Sequence, residues 1–125
     1  MSLRSPLSRA RGLGSAKSGV HHFWAQRLTA LALIPLTLWF VFSVAKLAGG
    51  SYEAVRWWVA YPSVAVTLVL FIAISFYHAA LGVQTVVEDY VGNEGAKLAL
   101  IVGAKFGLAA LGAISIFAVL KVALS

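Results

Sequence analysis

The sequence predicts an all-α integral membrane protein with three transmembrane helices, its N-terminus cytoplasmic and its C-terminus periplasmic. Three observations carry that reading. First, 61% of the 125 residues are hydrophobic and the mean hydropathy is +0.90, too apolar for a soluble domain of this size. Second, the charges are sparse and clumped. Residues 28–45 and 57–87 carry none, and residues 98–120 carry only Lys105. Each stretch is about as long as the ~20 residues a helix needs to cross the hydrocarbon core. Nothing alternates as barrel strands do, and a helix satisfies every backbone group within its own segment. Third, the basic residues are unevenly placed. Arg4, Arg9, Arg11, Lys17 and Arg27 precede or open the first span and Lys97 lies in the second loop, against Lys46, Arg56 and Lys121 on the other side. Six against three puts the N-terminus and the second loop on the inner face.

The spans are expected at about 24–47, 62–87 and 97–122, giving an N-terminal tail (1–20) and a three-helix transmembrane anchor domain (21–125). The tail is rich in Ser, Gly and Arg and has no acid. A mitochondrial targeting peptide shares this composition, as does a bacterial cytoplasmic tail held against anionic headgroups. Its shortness and its direct run into the first span favour the tail, hence a bacterial inner membrane over a mitochondrial one. Gly12-Leu13-Gly14-Ser15-Ala16-Lys17-Ser18-Gly19 faintly suggests a phosphate loop, but it has neither diagnostic spacing and follows no strand. It reads as a flexible lead-in.

The first span opens near His21-His22-Phe23-Trp24, and Pro35 is expected to bend it. Gly49-Gly50-Ser51 ends it. Trp57, Trp58 and Tyr61 form an aromatic belt at the outer interface. Pro62 suits the first turn of the second span. Glu88, Asp89 and Glu94, three of the four acids, crowd the short second loop. In the third span Gly103 and Gly107, followed by Gly112, have a spacing that permits close helix packing and equally fits ordinary membrane glycine usage. There is no cysteine, which excludes iron–sulfur clusters, thiolate metal sites and disulfides within this chain. The formal charge of +6 marks the inner face of a membrane protein and is not a nucleic-acid signal.

His78 is the most informative residue. It lies within the 31 uncharged residues of 57–87, near mid-membrane, where an ionisable side chain is costly and normally faces a partner. It is either hydrogen-bonded to a neighbouring helix, part of a proton path, or a ligand for haem iron. Small Ser75, Ala79 and Gly82 on adjoining turns leave room for a flat macrocycle. His21 and His22 lie too far along the axis to be an easy second ligand, so a six-coordinate haem needs a histidine from another subunit. Asp89 stands eleven residues beyond His78, three turns plus ~20°, on nearly the same face and ~16 Å nearer the inner surface. With Tyr90 it is either an interfacial anchor or the edge of a site for a small electroactive molecule. Arg27 either snorkels or, with His21, pairs with haem propionates. Lys105 is expected to snorkel inward. Gln84 is an inter-helix contact or lines a cofactor pocket.

Two segments, Ser18–Ala30 (SGVHHFWAQRLTA) and His78–Val91 (HAALGVQTVVEDYV), resemble the small hydrophobic membrane-anchor subunits of succinate dehydrogenase, respiratory complex II, in their D-type, alphaproteobacterial form. The resemblance spans nearly the whole chain and includes an H-x₃-G-x-Q-x₄-D-Y-V pattern leaving the second span. It implies a b-type haem shared with a second cytochrome b anchor subunit, with His78 as this chain's iron ligand. Tyr90 and Asp89 are implied in a ubiquinone site beside the iron–sulfur subunit, and Arg27 and His21 near the haem propionates. The other implied partners are a flavoprotein subunit and membrane lipid. The implied role is passing electrons from the iron–sulfur subunit to quinone, between the tricarboxylic acid cycle and the respiratory chain. The chain alone is then no enzyme. Two other readings stay open at this point: a haem-free anchor of the fumarate reductase type, and a small proton-coupled transporter subunit using His78 and Lys105.

The charge asymmetry makes a test of its own. A reporter fused after Ser125 is expected outside the cytoplasm, and one active only in the cytoplasm contradicts the span count or the orientation.

Overall fold

The computed structural model describes residues 5–12 and 18–125. Arg4, Lys17 and most of the Gly12–Gly19 lead-in fall outside the described residues. Five helices follow one another: α1 (Pro6–Ala10), α2 (Ser18–Leu47), α3 (Tyr52–Ala60), α4 (Pro62–Tyr90) and α5 (Glu94–Ala123). No strand occurs among the described residues. α2, α4 and α5 are each long and apolar enough to cross a membrane. At 1.5 Å per residue they run about 45 Å. That exceeds the hydrocarbon thickness of roughly 30 Å, so their ends extend into the headgroup regions.

Each boundary has a local cause. α2 continues unbroken through Pro35 and stops at Gly49, whose φ of +80° lies in the left-handed region that favours glycine. Ser51 caps α3 by accepting the Ala54 N–H at 3.2 Å. Tyr61 is extended, as a residue before proline must be. Pro62 then opens α4 at a position where no amide hydrogen is needed. Asn93 caps α5 through the Ala96 N–H at 2.9 Å. Only residues 91–93 separate α4 from α5, which forces the two helices antiparallel.

α3 departs from the expected belt. Residues 52–60 are not a loop but a nine-residue helix, with Glu53 in its first turn. The Ser51 cap and this acid were its signals, and the segment is too short to register as a span. Trp58 leaves α3 to stack on Trp39 of α2, ring centroids 5.8 Å apart. Trp57 is exposed, as a belt residue should be.

α4 is the middle helix. It packs on α2 and on α5, and α3 contacts both α4 and α5. The buried side chains are few: Ala65, Leu68 and Leu81, all on α4. Gly112 of α5 is buried too, and a Cβ there would lie 3.3–3.4 Å from the Phe76 side chain of α4. This glycine, and neither Gly103 nor Gly107, makes the close approach; those two have open space beside them. Phe40 of α2 meets Phe71 of α4 at 4.9 Å. Large apolar side chains such as Phe42, Phe106, Ile114 and Phe117 stay exposed, a surface that only lipid or another apolar chain can cover.

The packing predicts a contrast between two glycines. Gly112→Leu drives a branched side chain into Phe76 and should destabilise the purified chain by about 1–3 kcal/mol. Gly107→Leu should change stability by no more than about 0.5 kcal/mol. Thermal melts in detergent check both, and equal losses would mean that Gly112 is no special contact.

Candidate functional site

The α2–α4 seam holds the polar residues that the apolar sequence isolates. At 100° per residue, His78, Gly82, Thr85 and Asp89 form one stripe along α4, and His22, Gln26 and Thr29 form one along α2. The first three of the α4 stripe meet the α2 stripe directly. His78 Nδ1 lies 2.8 Å from the Thr29 hydroxyl oxygen. His22 Nε2 lies 3.0 Å from the Thr85 hydroxyl oxygen. Seven residues forward along α2, from His22 to Thr29, match seven residues back along α4, from Thr85 to His78. Each helix therefore gives one histidine and one threonine to two rungs a heptad apart.

Between the rungs lies Gln26, its amide nitrogen 3.8 Å from where a Gly82 Cβ would sit. The Gln26 Oε1 is buried and has no hydrogen-bond partner among the described residues. An acceptor left this way costs about 1–3 kcal/mol, so it marks a point where a donor from outside the chain would be welcome.

His78 is half-buried, twelve residues and so about 18 Å from the end of α4. It therefore sits near the middle of α4. The other expected site residues are spread out. Asp89 and Tyr90 form the last turn of α4, both exposed, with Tyr90 85% accessible. Arg27 is exposed and sits over the Phe23 ring, 5.1 Å from its centre. His21 leaves α2 about 120° away from Arg27 and lines a different feature. The chain alone therefore brings His78 to Thr29 but brings neither His21 nor Arg27 to His78.

That other feature is an open groove of about 870 Å³ flanked by α2, α4 and α5. Its polar wall is His21, His22, Gln84, Glu88 and Lys105, and its apolar wall includes Phe76, Tyr77 and Leu108. Gln84 donates to the Glu88 carboxylate at 2.8 Å, so its polar group is used within α4. Lys105 faces this groove. His78, Asp89 and Tyr90 do not line it. The one ion pair among the described residues, Lys97 to Glu94 at 3.4 Å, is an exposed i,i+3 contact worth less than about 1 kcal/mol.

Thr29, Thr85 and Gln26 do not stand out in the sequence by type, because threonine and glutamine are ordinary in helices. The signal that finds them is spacing. His22 and Thr29 are seven apart, as are His78 and Thr85, and only an antiparallel pairing of the two spans makes that repeat meaningful.

Comparison with known proteins agrees with this architecture. Residues 1–120 match the family model described as succinate dehydrogenase/fumarate reductase transmembrane subunit. The chain is 34% identical over 109 residues to a succinate dehydrogenase hydrophobic membrane anchor subunit of Paracoccus denitrificans, covering 87% of this chain and 84% of that one. It is 33% identical over 102 residues to the subunit of that name in Rickettsia bellii, covering 82% of each. A succinate dehydrogenase membrane anchor subunit of Reclinomonas americana is 31% identical over 96 residues, covering 68% of this chain and 73% of that one. No solved structure matches the chain. With three membrane-length helices and a family match across almost its full length, the chain belongs to the succinate dehydrogenase/fumarate reductase transmembrane subunit family.

Proposed function

We propose that this chain is the D-type anchor of a succinate:ubiquinone oxidoreductase in a bacterial inner membrane. In this reading it shares one b-type haem with a second anchor subunit and forms part of the ubiquinone site beside the iron–sulfur subunit. The observation that carries the reading is the contact between His78 Nδ1 and the Thr29 hydroxyl oxygen, 2.8 Å across the seam, which argues for one tautomer of His78. The Thr29 oxygen lies 2.7 Å from the Ala25 carbonyl and 3.1 Å from the Gln26 carbonyl. Carbonyls only accept, so the hydroxyl proton goes to the backbone of α2. With the proton so used the Thr29 oxygen would accept from His78, and Nδ1 would carry the ring proton. Nε2 is left with the lone pair, the form in which imidazole binds iron.

The same logic applied to His22 gives the opposite tautomer. Thr85 donates to the Leu81 carbonyl at 3.1 Å, so His22 Nε2 is the donor and the nitrogen left free is Nδ1, crowded by its own Cβ. Of the two seam histidines, only His78 presents the distal nitrogen. His78 would thus hold the iron, and a bound haem would supply one-electron carriage. Gly82 and half-buried Ala79 keep the adjoining turns of α4 slim beside such a group.

The quinone chemistry falls to the end of α4. Ubiquinone takes two electrons, delivered by the iron–sulfur subunit, and two protons from the inner aqueous face. The Tyr90 hydroxyl is a hydrogen-bond donor. It would donate to a quinone carbonyl oxygen, where negative charge grows as electrons arrive. Asp89 would orient Tyr90 or a neighbouring basic group. The exposure of both side chains suits a site completed by other subunits, as does the absence of any cysteine that could carry electrons here.

Substitutions separate the two roles. His78→Ala in the assembled complex should abolish or strongly alter the low-spin b-type spectrum, and His22→Ala should leave it largely intact. An unaltered spectrum in His78→Ala would remove this residue as a ligand. A complex without any haem spectrum would favour the haem-free anchor.

Tyr90→Phe keeps the ring and deletes the hydroxyl. The lost hydrogen bond is worth ~1–3 kcal/mol and matters most in the transition state. Succinate–ubiquinone activity should therefore fall about five-fold or more. Succinate oxidation by an artificial dye, which takes electrons upstream, should stay near normal, and Asp89→Asn should behave likewise. Equal losses in both assays would make Tyr90 an assembly residue.

A further inference from the structure

We infer that Thr29 is the positioning residue for His78: its hydroxyl fixes the ring's orientation and tautomer and thereby tunes the electron affinity of iron bound at Nε2. This rests on the haem reading above and adds a residue to it. Three features carry the inference. The contact is short, 2.8 Å, between residues 49 apart in sequence, so it is set by helix packing and not by local chain geometry. The hydroxyl cannot rotate to donate to the ring without giving up the Ala25 carbonyl at 2.7 Å and the Gln26 carbonyl at 3.1 Å. The seam is also pinned a heptad away by the His22–Thr85 rung at 3.0 Å, so Thr29 is held level with His78.

The chemical consequence follows from electron density. An imidazole whose N–H donates to a fixed acceptor is a more basic ligand through its other nitrogen. A more basic ligand favours the ferric state over the ferrous one. A ring turned by 180° about its bond to Cβ would set a carbon against the Thr29 oxygen and lose the bond, so the hydroxyl also selects the plane in which the imidazole meets the iron. Gln26 does not duplicate this role: its amide nitrogen faces Gly82, and its buried oxygen has no hydrogen-bond partner among the described residues.

The test uses the whole complex purified with its partner subunits. Thr29→Val keeps the shape and deletes the hydroxyl; Thr29→Ser keeps the hydroxyl and deletes a methyl. Haem midpoint potential by redox titration and the low-spin ferric EPR g-values are read for each, with His78→Ala alongside. Thr29→Val should raise the potential, so that the ferric-to-ferrous ratio at a fixed poise falls about five-fold, and should shift or broaden the g-values. Thr29→Ser should match the parent protein. Loss of haem in Thr29→Val with retention in Thr29→Ser gives the same support.

Unaltered potential and g-values in Thr29→Val overturn the inference, as does a Thr29→Ser variant that shifts or loses haem as much as Thr29→Val does. In either case a haem spectrum lost only in His78→Ala leaves the ligand assignment standing. A haem spectrum that survives His78→Ala unaltered sinks the haem reading and the inference together.

Discussion

The seam between α2 and α4 is the constraint on which the rest depends. Within a bilayer, apolar helices gain nothing from leaving water, because lipid is as apolar as leucine. Association must come from close packing and from hydrogen bonds between helices. The seam has both. Two histidine–threonine rungs cross it a heptad apart, and between them Gln26 packs near Gly82. Each threonine is itself tied to its own helix backbone. A slip of one turn would break both rungs and leave His78 without its Thr29 partner inside an apolar span, so the register is specified more sharply than apolar contacts would specify it. The site residues inherit that precision: His78 is held because the seam is held.

The other side of α4 is built differently. There the approach to α5 is steric, with Gly112 against Phe76, and the short connection at 91–93 enforces the antiparallel arrangement. The remaining surface is conspicuously apolar, with Phe106 and Phe117 largely exposed, and only a handful of the described residues are buried. Such a chain has three membrane-length helices but little interior of its own. Family membership accounts for this, since a transmembrane subunit of a larger assembly packs much of its surface against lipid and other chains. The exposed Asp89 and Tyr90, at the end of the best-held helix, fit the same picture.

Much of the fold was legible in the sequence because a bilayer imposes so few solutions. Charge-free runs of span length admit only helices, and Pro62 and Gly49 marked two of their ends. The acids expected in the second loop instead lie within helices, Glu88 and Asp89 in the last turn of α4 and Glu94 in the first turn of α5, because the helices run past the apolar runs into the headgroup regions. α3 was not legible as a helix, since nine residues with two tryptophans look the same in an aromatic loop. The glycine spacing left two readings open, and the structure divides them: Gly103 and Gly107 have open space beside them, while Gly112 lies against Phe76 of α4. His78, Asp89 and Tyr90 could be picked out because ionisable or polar groups are conspicuous in an apolar chain. Thr29 and Gln26 could not, since their importance lies in which helix stands opposite. Arg27 and His21 point about 120° apart, a relation that a linear reading of neighbours hides.

The central claim is that His78, its proton held by Thr29, presents Nε2 to a haem shared between this chain and a second anchor. An experimental structure of the complex purified with its partners, resolved well enough to orient side chains, tests this most directly. The account predicts a macrocycle beside α4 with its iron bonded to His78 Nε2, a second axial ligand from the other anchor, and Nδ1 still within hydrogen-bonding distance of the Thr29 oxygen. A macrocycle ligated without His78, or no macrocycle at this seam, would contradict it.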